Sequence, residues 1–246
     1  MTADPQWITP DWPAPANVKA AATLRTGGVS QEPFASLNLG SHVGDDAAAV
    51  AENRRLLKTA LQLPAEPAWL NQVHGTNVVI ANSQSSPPTA DASVAHEANQ
   101  VCVVLTADCL PVLFCDRQGT RVGAAHAGWR GLAGGVLGAT IRALDVLPSQ
   151  LLAWLGPAIE PEAFEVGPEV REQFVAQDAG NAAAFHANAR GRWQADLYQL
   201  AKNELARLGV PEVHGGGLRC HDDAERFFSY RRNQRTGRMG TLVWLS

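Results

Sequence analysis

Between Val101 and Ala125 the chain sets down strand-like runs in quick succession, and any fold must accommodate them. Val101 to Leu105 is continuously apolar, and Pro111 to Cys115 is a second β-like run. Arg121 to Ala125 is a third, after a Gln118-Gly119 turn. With 246 residues, 46% of them hydrophobic, the chain can bury a large core in one domain or at most two.

Helical and strand-like stretches alternate around this centre. Val18 to Leu24 reads as a strand, closed by Gly27-Gly28. Asp45 or Asp46 can cap a helix from Ala47 to Leu61 with Val50, Leu57 and Leu61 on one face. Val78 to Ala81 reads as a short strand before a loop over Asn82 to Thr89. A glycine-rich helix is expected from Trp129 to Leu147, where each glycine costs about 1 kcal/mol relative to alanine. Leu151 to Leu155 and Thr241 to Leu245 read as strands, and Pro168 to Ala176 and Ala195 to Leu208 as helices. Asp178 to Ala189, rich in alanine and asparagine, reads as a surface excursion. This is a mixed α/β pattern without internal repeat or linker. A single domain over residues 1–246 is expected, with residues 1–16 an irregular N-terminal segment.

A net charge of −4 and 18% charged residues suggest neither a nucleic-acid surface nor a membrane-surface helix. No apolar run approaches the ~18 residues of a membrane helix. The four cysteines form no CxxC and no regular framework, which reads as a reduced, cytoplasmic protein. Met1 to Pro15 has no basic or apolar signal region, so no secretory signal is expected.

Three short segments each present one soft metal ligand. These are His74 in Asn71-Gln72-Val73-His74-Gly75, Cys109 in Thr106-Ala107-Asp108-Cys109-Leu110-Pro111, and His126 in Ala125-His126-Ala127-Gly128-Trp129-Arg130. Two imidazoles and a thiolate suit zinc or copper and leave a fourth position open for chemistry. Taken singly, each has an ordinary explanation. Cys109 reads as a packed core cysteine, His126 as a histidine bonding a loop, and His74 as a surface turn residue. Asp108, after an apolar run, needs a partner such as a backbone N–H or a ligating histidine. Cys102 and Cys115 lie within strands and are assigned to the core.

Near the C-terminus Arg219, Arg226, Arg231, Arg232, Arg235 and Arg238 surround Phe227-Phe228-Ser229-Tyr230. They read either as a solvated basic face or as an anion site, because guanidinium forks bind phosphate and aromatics stack on bases. The loops holding Arg25 and Asn38 can reach a substrate or serve as ordinary turns.

These segments together resemble the YfiH family, also called the laccase-domain or multicopper polyphenol oxidase family. The resemblance also takes in Arg25-Thr26-Gly27-Gly28, Ser36-Leu37-Asn38-Leu39-Gly40, Gly156-Pro157-Ala158-Ile159 and Phe227-Phe228-Ser229-Tyr230-Arg231-Arg232. It implies a single-domain, layered α/β/β/α sandwich with mixed sheets, and zinc bound by His74, Cys109 and His126. It further implies phosphorolysis of adenosine, inosine, guanosine and methylthioadenosine, with adenosine deamination besides. Purine nucleosides and phosphate are then the partners. Cys109, His126 and Asp108 would be catalytic, and Arg25, Asn38 and Arg231 would bind substrate or phosphate. Cys220-His221 departs from the Cys-Thr expected of the family.

Two rival chemistries are compatible with the same residues. One is a copper-dependent phenol oxidase, although seven histidines are few for a multicopper cluster. The other is a cysteine hydrolase, with a link to peptidoglycan editing, in which Cys109 is the nucleophile and His126 or His74 the base. The H-x-E and P-C-x-x-C signature of zinc deaminases is missing, so any deaminase activity uses another arrangement.

Overall fold

The computed structural model describes residues 6–82 and 86–246. Its strands are β1 (Trp7–Ile8), β2 (Val18–Thr23), β3 (Val78–Ile80), β4 (Ala92–Ala95), β5 (Val101–Thr106), β6 (Leu110–Asp116) and β7 (Val122–Ala127). They continue with β8 (Leu151–Leu155), β9 (Glu165–Val166), β10 (Phe185–Ala187), β11 (Trp193–Ala195), β12 (Glu212–Gly215) and β13 (Met239–Leu245). The helices are α1 (Ala47–Ala60), α2 (Trp129–Gly134), α3 (Val136–Leu144), α4 (Pro168–Gln177) and α5 (Leu197–Arg207).

The layering follows from side-chain alternation along β5, because successive residues of a strand point to opposite faces. Val101, Val103 and Leu105 pack with Leu57 of α1 and with Leu37, Leu39 and Trp69. Cys102 and Val104 point the other way, into a second core with Leu113, Cys115, Ala124 and Trp154. β5 belongs to a four-stranded sheet ordered β1-β2-β13-β5. The residues it meets belong to a six-stranded sheet ordered β12-β8-β6-β7-β4-β3, with parallel and antiparallel pairs. The far face of that sheet, with Val112, Phe114 and Ala153, packs on α3 through Leu137, Ile141 and Leu144 and on α5 through Leu200 and Leu205. The layers are therefore helix, sheet, sheet, helix, and β5, β6 and β8 read as continuous apolar runs because both their faces are covered.

Asp46 caps α1 through its side chain, accepting from the Ala48 N–H at 2.9 Å. The long glycine-rich helix is not one helix. Gly135 adopts φ 93°, a left-handed conformation that glycine takes without a Cβ penalty, and it divides α2 from α3. Residues 178–189 are also more than a surface excursion. They form a 3-10 turn and β10, and they bury Asn181, Ala184 and Phe185. The N-terminal segment contains a short strand, since β1 pairs with β2, so residues 7–8 are regular. Residues 1–5 of that segment, and residues 83–85 of the expected 82–89 loop, lie outside the described residues. Among the described residues no helix is long and apolar enough to cross a membrane.

Candidate metal centre

The chain leaves the four-stranded sheet at Thr106 and enters the six-stranded sheet at Leu110, so residues 107–109 cross between the layers. Asp108 makes this crossing at φ 95°, an unusual conformation for a residue with a Cβ. Cys109 follows at the mouth of β6. His126 lies on the neighbouring strand β7, where its register partner is Pro111. His74 comes from the loop before β3, itself at φ 60°.

Folding gathers these three side chains. Their nearest ligand atoms all lie within 4.8 Å of one another. Cys109 Sγ is 3.7 Å from His74 Nε2, and the two imidazole centroids are 4.8 Å apart. His126 is buried, Cys109 is partly buried, and His74 is exposed at the rim.

One buried carboxylate organises the cluster. Asp91, just before β4, accepts the backbone N–H groups of Val73 at 3.2 Å, His74 at 2.9 Å and Gly75 at 2.6 Å. It also accepts His126 Nδ1–H at 2.8 Å, and its own carbonyl accepts the His126 backbone N–H at 2.7 Å. Two ligands from distant parts of the chain thus hang on a single side chain. Since an ionised carboxylate only accepts, His126 Nδ1 carries a proton toward Asp91, and Nε2 is the ring nitrogen left to face the thiolate and His74 and to give its lone pair to a cation once its own proton is released. Gln72 fixes the same loop from the other side. Its Nε2 donates to the Leu105 carbonyl at 2.8 Å, and its Oε1 accepts the Leu105 N–H at 2.7 Å.

The electrostatics fit this arrangement. Burial pushes the Cys109 thiol up, but the charge of His126 and hydrogen bonds from His126 and His74 outweigh it and bring it down to about 6. Burial disfavours charge on His126, yet the Cys109 thiolate and Asp91 raise it to about 9. Burial raises Asp91, but the His126 hydrogen bond and the backbone N–H donors hold it below the usual range. A thiolate, two imidazoles and a braced carboxylate match a soft divalent cation. The space fits as well: a Cβ built on Gly128 would lie 2.8 Å from Cys109 Sγ and 3.0 Å from His74 Cδ2, so only glycine leaves the donors room.

The cluster opens into a cavity of about 500 Å³. Trp129, Phe164 and Tyr230 give it aromatic walls, and Arg130, Arg231 and Arg238 bring cations. Asp108 also lines it. Asp108 does not orient a histidine: its Oδ2 accepts the Arg231 backbone N–H at 2.6 Å, and its buried Oδ1 has no hydrogen-bond partner. The histidine-orienting carboxylate is Asp91, which sequence reasoning missed. Its signal was an acid between Ala90 and Ala92 at the opening of a strand, the argument applied only to Asp108. His42, Gln72, Trp129 and Arg130 are further cavity residues without a local signal.

Arg25 and Asn38, expected to bind substrate or phosphate, lie outside the cavity lining. Arg25 spends its guanidinium on the carbonyls of Ala35 and Ala224 and lies 4.8 Å from the Phe228 ring centroid. Asn38 is fully buried; its Nδ2 donates to Asp45 and its Oδ1 accepts the backbone N–H groups of Gly40 and Arg238. It therefore supports Arg238 from behind. The C-terminal arginines are not one basic face either. Arg219 and Arg226 pair with nearby acids, Arg232 donates to the carbonyls of Cys220, His221 and Phe227, and Arg235 lies over Phe34.

Comparison with known proteins agrees with this architecture. Residues 19–246 match the family described as multi-copper polyphenol oxidoreductase laccase. A purine nucleoside phosphorylase of Pseudomonas aeruginosa is 58% identical, covering 97% of this chain and 98% of its own. The purine nucleoside phosphorylase YfiH of Escherichia coli is 51% identical with the same coverage. A solved Neisseria meningitidis protein superposes with a TM-score of 0.94 at 52% identity, covering 98% of this chain and 99% of its own.

Proposed function

The chain belongs to the YfiH, or multi-copper polyphenol oxidoreductase laccase, family, and we propose that it is a zinc-dependent purine nucleoside phosphorylase of the cytoplasm. Adenosine, inosine, guanosine and methylthioadenosine are its substrates, and adenosine deamination is a second activity. One observation carries the reading: a His-Cys-His donor set shares a cavity with arginines and aromatic side chains. That combination serves a ligand with a flat base at one end and an anion at the other.

His74, Cys109 and His126 would hold zinc, which when bound supplies Lewis acidity for charge developing in the reaction. Arg231 and Arg238 hold phosphate by charge-assisted hydrogen bonds. Trp129, Phe164 and Tyr230 sandwich the purine and exclude water from the glycosidic bond. Asp108 offers its unpartnered Oδ1 to a ribose hydroxyl or a base nitrogen, and it can hold or deliver the proton the departing purine needs. In deamination the same carboxylate would manage the proton, since no glutamate lines the cavity among the described residues.

Two imidazoles and a thiolate favour zinc, and copper at this same site is the alternative. A multicopper centre has little support, because among the described residues the other His-containing ligand group has one histidine with two carboxylates. A cysteine hydrolase draws support from the Cys109 thiol brought down to about 6 beside an imidazolium. The deciding experiment is turnover of inosine plus phosphate to hypoxanthine and ribose 1-phosphate by protein of measured metal content. At least one zinc per chain, and activity abolished by chelation and restored by zinc, support the proposal. Phosphorolysis that survives Cys109→Ala would sink it. Oxygen uptake with a phenol would favour copper, and chelator-resistant hydrolysis would favour the thiol nucleophile.

A further inference from the structure

The departure at Cys220-His221 lies in a second constellation, outside the cavity lining. Residues 218–220 run beside residues 156–160: Ala158 N–H donates to the Leu218 carbonyl and Cys220 N–H to the Ala158 carbonyl. This pairing sets Glu160 against His221 and Asp222. Glu160 is 1% exposed, and its Oε2 accepts the His221 backbone N–H at 3.2 Å. Its other oxygen, Oε1, is buried and has no hydrogen-bond partner, and neither has His221 Nδ1.

These two orphaned atoms face each other at 3.6 Å, and Asp222 Oδ1 faces the same Nδ1 at 3.5 Å. Both separations are too long for hydrogen bonds of useful strength. They are close to the spacing of ligands around a shared ion, because bonds of about 2.0–2.1 Å place tetrahedral neighbours roughly 3.3 Å apart. The groups are also held from behind. Arg219 takes Asp222 Oδ2 at 2.6 and 3.1 Å, which leaves Oδ1 toward the imidazole. Arg232 Nη1 donates to the carbonyls of Cys220 at 2.9 Å and His221 at 2.6 Å, fixing the backbone that carries the ligands.

We propose that Glu160, His221 and Asp222 form a second binding site for a divalent transition cation of the zinc class. One imidazole and two carboxylates are a competent borderline donor set. A dication would satisfy both orphaned atoms and take the place of the proton that burial and the neighbouring Asp222 favour on Glu160. The half-exposed Asp222 side leaves a solvent-facing position and an entry path. Bound there, the ion ties the end of the 156–160 segment to the loop that leads to Tyr230 and Arg231.

Titrating metal-stripped protein with Co²⁺ tests this. Cobalt on the Cys109 thiolate gives a near-ultraviolet charge-transfer band, whereas a site of imidazole and carboxylates gives only weak visible bands. The wild type should bind about two equivalents. His221→Ala and Asp222→Asn should each bind about one, with the near-ultraviolet band unchanged. Cys109→Ser should lose that band and keep the weak one. A wild type that binds one equivalent, or a second equivalent that survives both His221→Ala and Asp222→Asn, would overturn the proposal. Loss of the near-ultraviolet band alone would count against the Cys109 centre and not against this one.

Discussion

The two walls of the cavity are built on different principles. The donor wall stands on strand ends and on a loop pinned to them, and its members are cross-braced by buried groups. Asp91 alone joins the 73–75 backbone to the His126 ring and backbone. The opposite wall carries Tyr230, Arg231 and Arg238 on the segment before β13, where the side chains lean on backbone carbonyls and ring faces. Tyr230 is 52% exposed, while the Asp91 side chain is wholly buried. On the proposed function, a cation needs the fixed ligand geometry of the first wall, and a range of nucleosides is served by the looser second wall.

If the donor wall is an all-or-none device, removing a ligand is the harshest blow. Cys109→Ala and His126→Ala should lose the metal and at least about 100-fold in phosphorolysis rate, with secondary structure intact by circular dichroism. The brace comes next. Asp91→Asn should weaken metal affinity roughly 10–100-fold, measured by competition with a chelator. Asp91→Ala should in addition lower thermal stability, because each orphaned buried N–H costs about 1–3 kcal/mol. An Asp91→Asn protein with unchanged affinity would mean that the brace only serves folding.

The cation wall should respond in a graded way. If the proposed function holds, Arg231→Ala and Arg238→Ala should raise the KM for phosphate about tenfold, keep the metal content of the wild type and leave the KM for inosine nearly unchanged. Metal loss in either variant would erase the distinction between the walls.

The smallest effect is a proton count. Cys109 has its pKa lowered to about 6 and His126 raised to about 9, so at pH 7.5 the thiol is already ionised and the imidazole still protonated. Metal uptake by the stripped protein should then release about one proton from this pair. Near pH 5, below both values, the pair should release about two, and above pH 9 nearly none. Calorimetry in buffers of different ionisation enthalpy measures this on the wild type, and a release of two protons or of none at pH 7.5 would refute the thiolate–imidazolium pairing.

Much of the fold was legible because burial on both faces leaves a local mark. The runs at 101–105, 111–115 and 151–155 are apolar without alternation, and all three are strands buried on both faces. The break at Gly135 was harder to see, because a glycine can tighten a helix contact or end the helix and only the neighbours choose between them. Arg25 and Asn38 are ambiguous in the sequence for a related reason. A polar residue beside glycines can face a ligand or hold a loop, and here both hold loops.

By itself the sequence determined which atoms were available for chemistry. Two histidines and a cysteine beside small residues were each an ordinary candidate, and the family resemblance joined them into one proposed thiolate-imidazole site. Only the tertiary structure decided that the three converge, that Asp91 and not Asp108 braces them, and that Arg231 and Arg238 alone of the C-terminal arginines reach the cavity. The reason is physical. Side-chain type is a local property, but ligand convergence depends on strand register and on the crossing between two sheets. Those are set by contacts among residues as far apart as His74 and His126, and no stretch of the chain contains them.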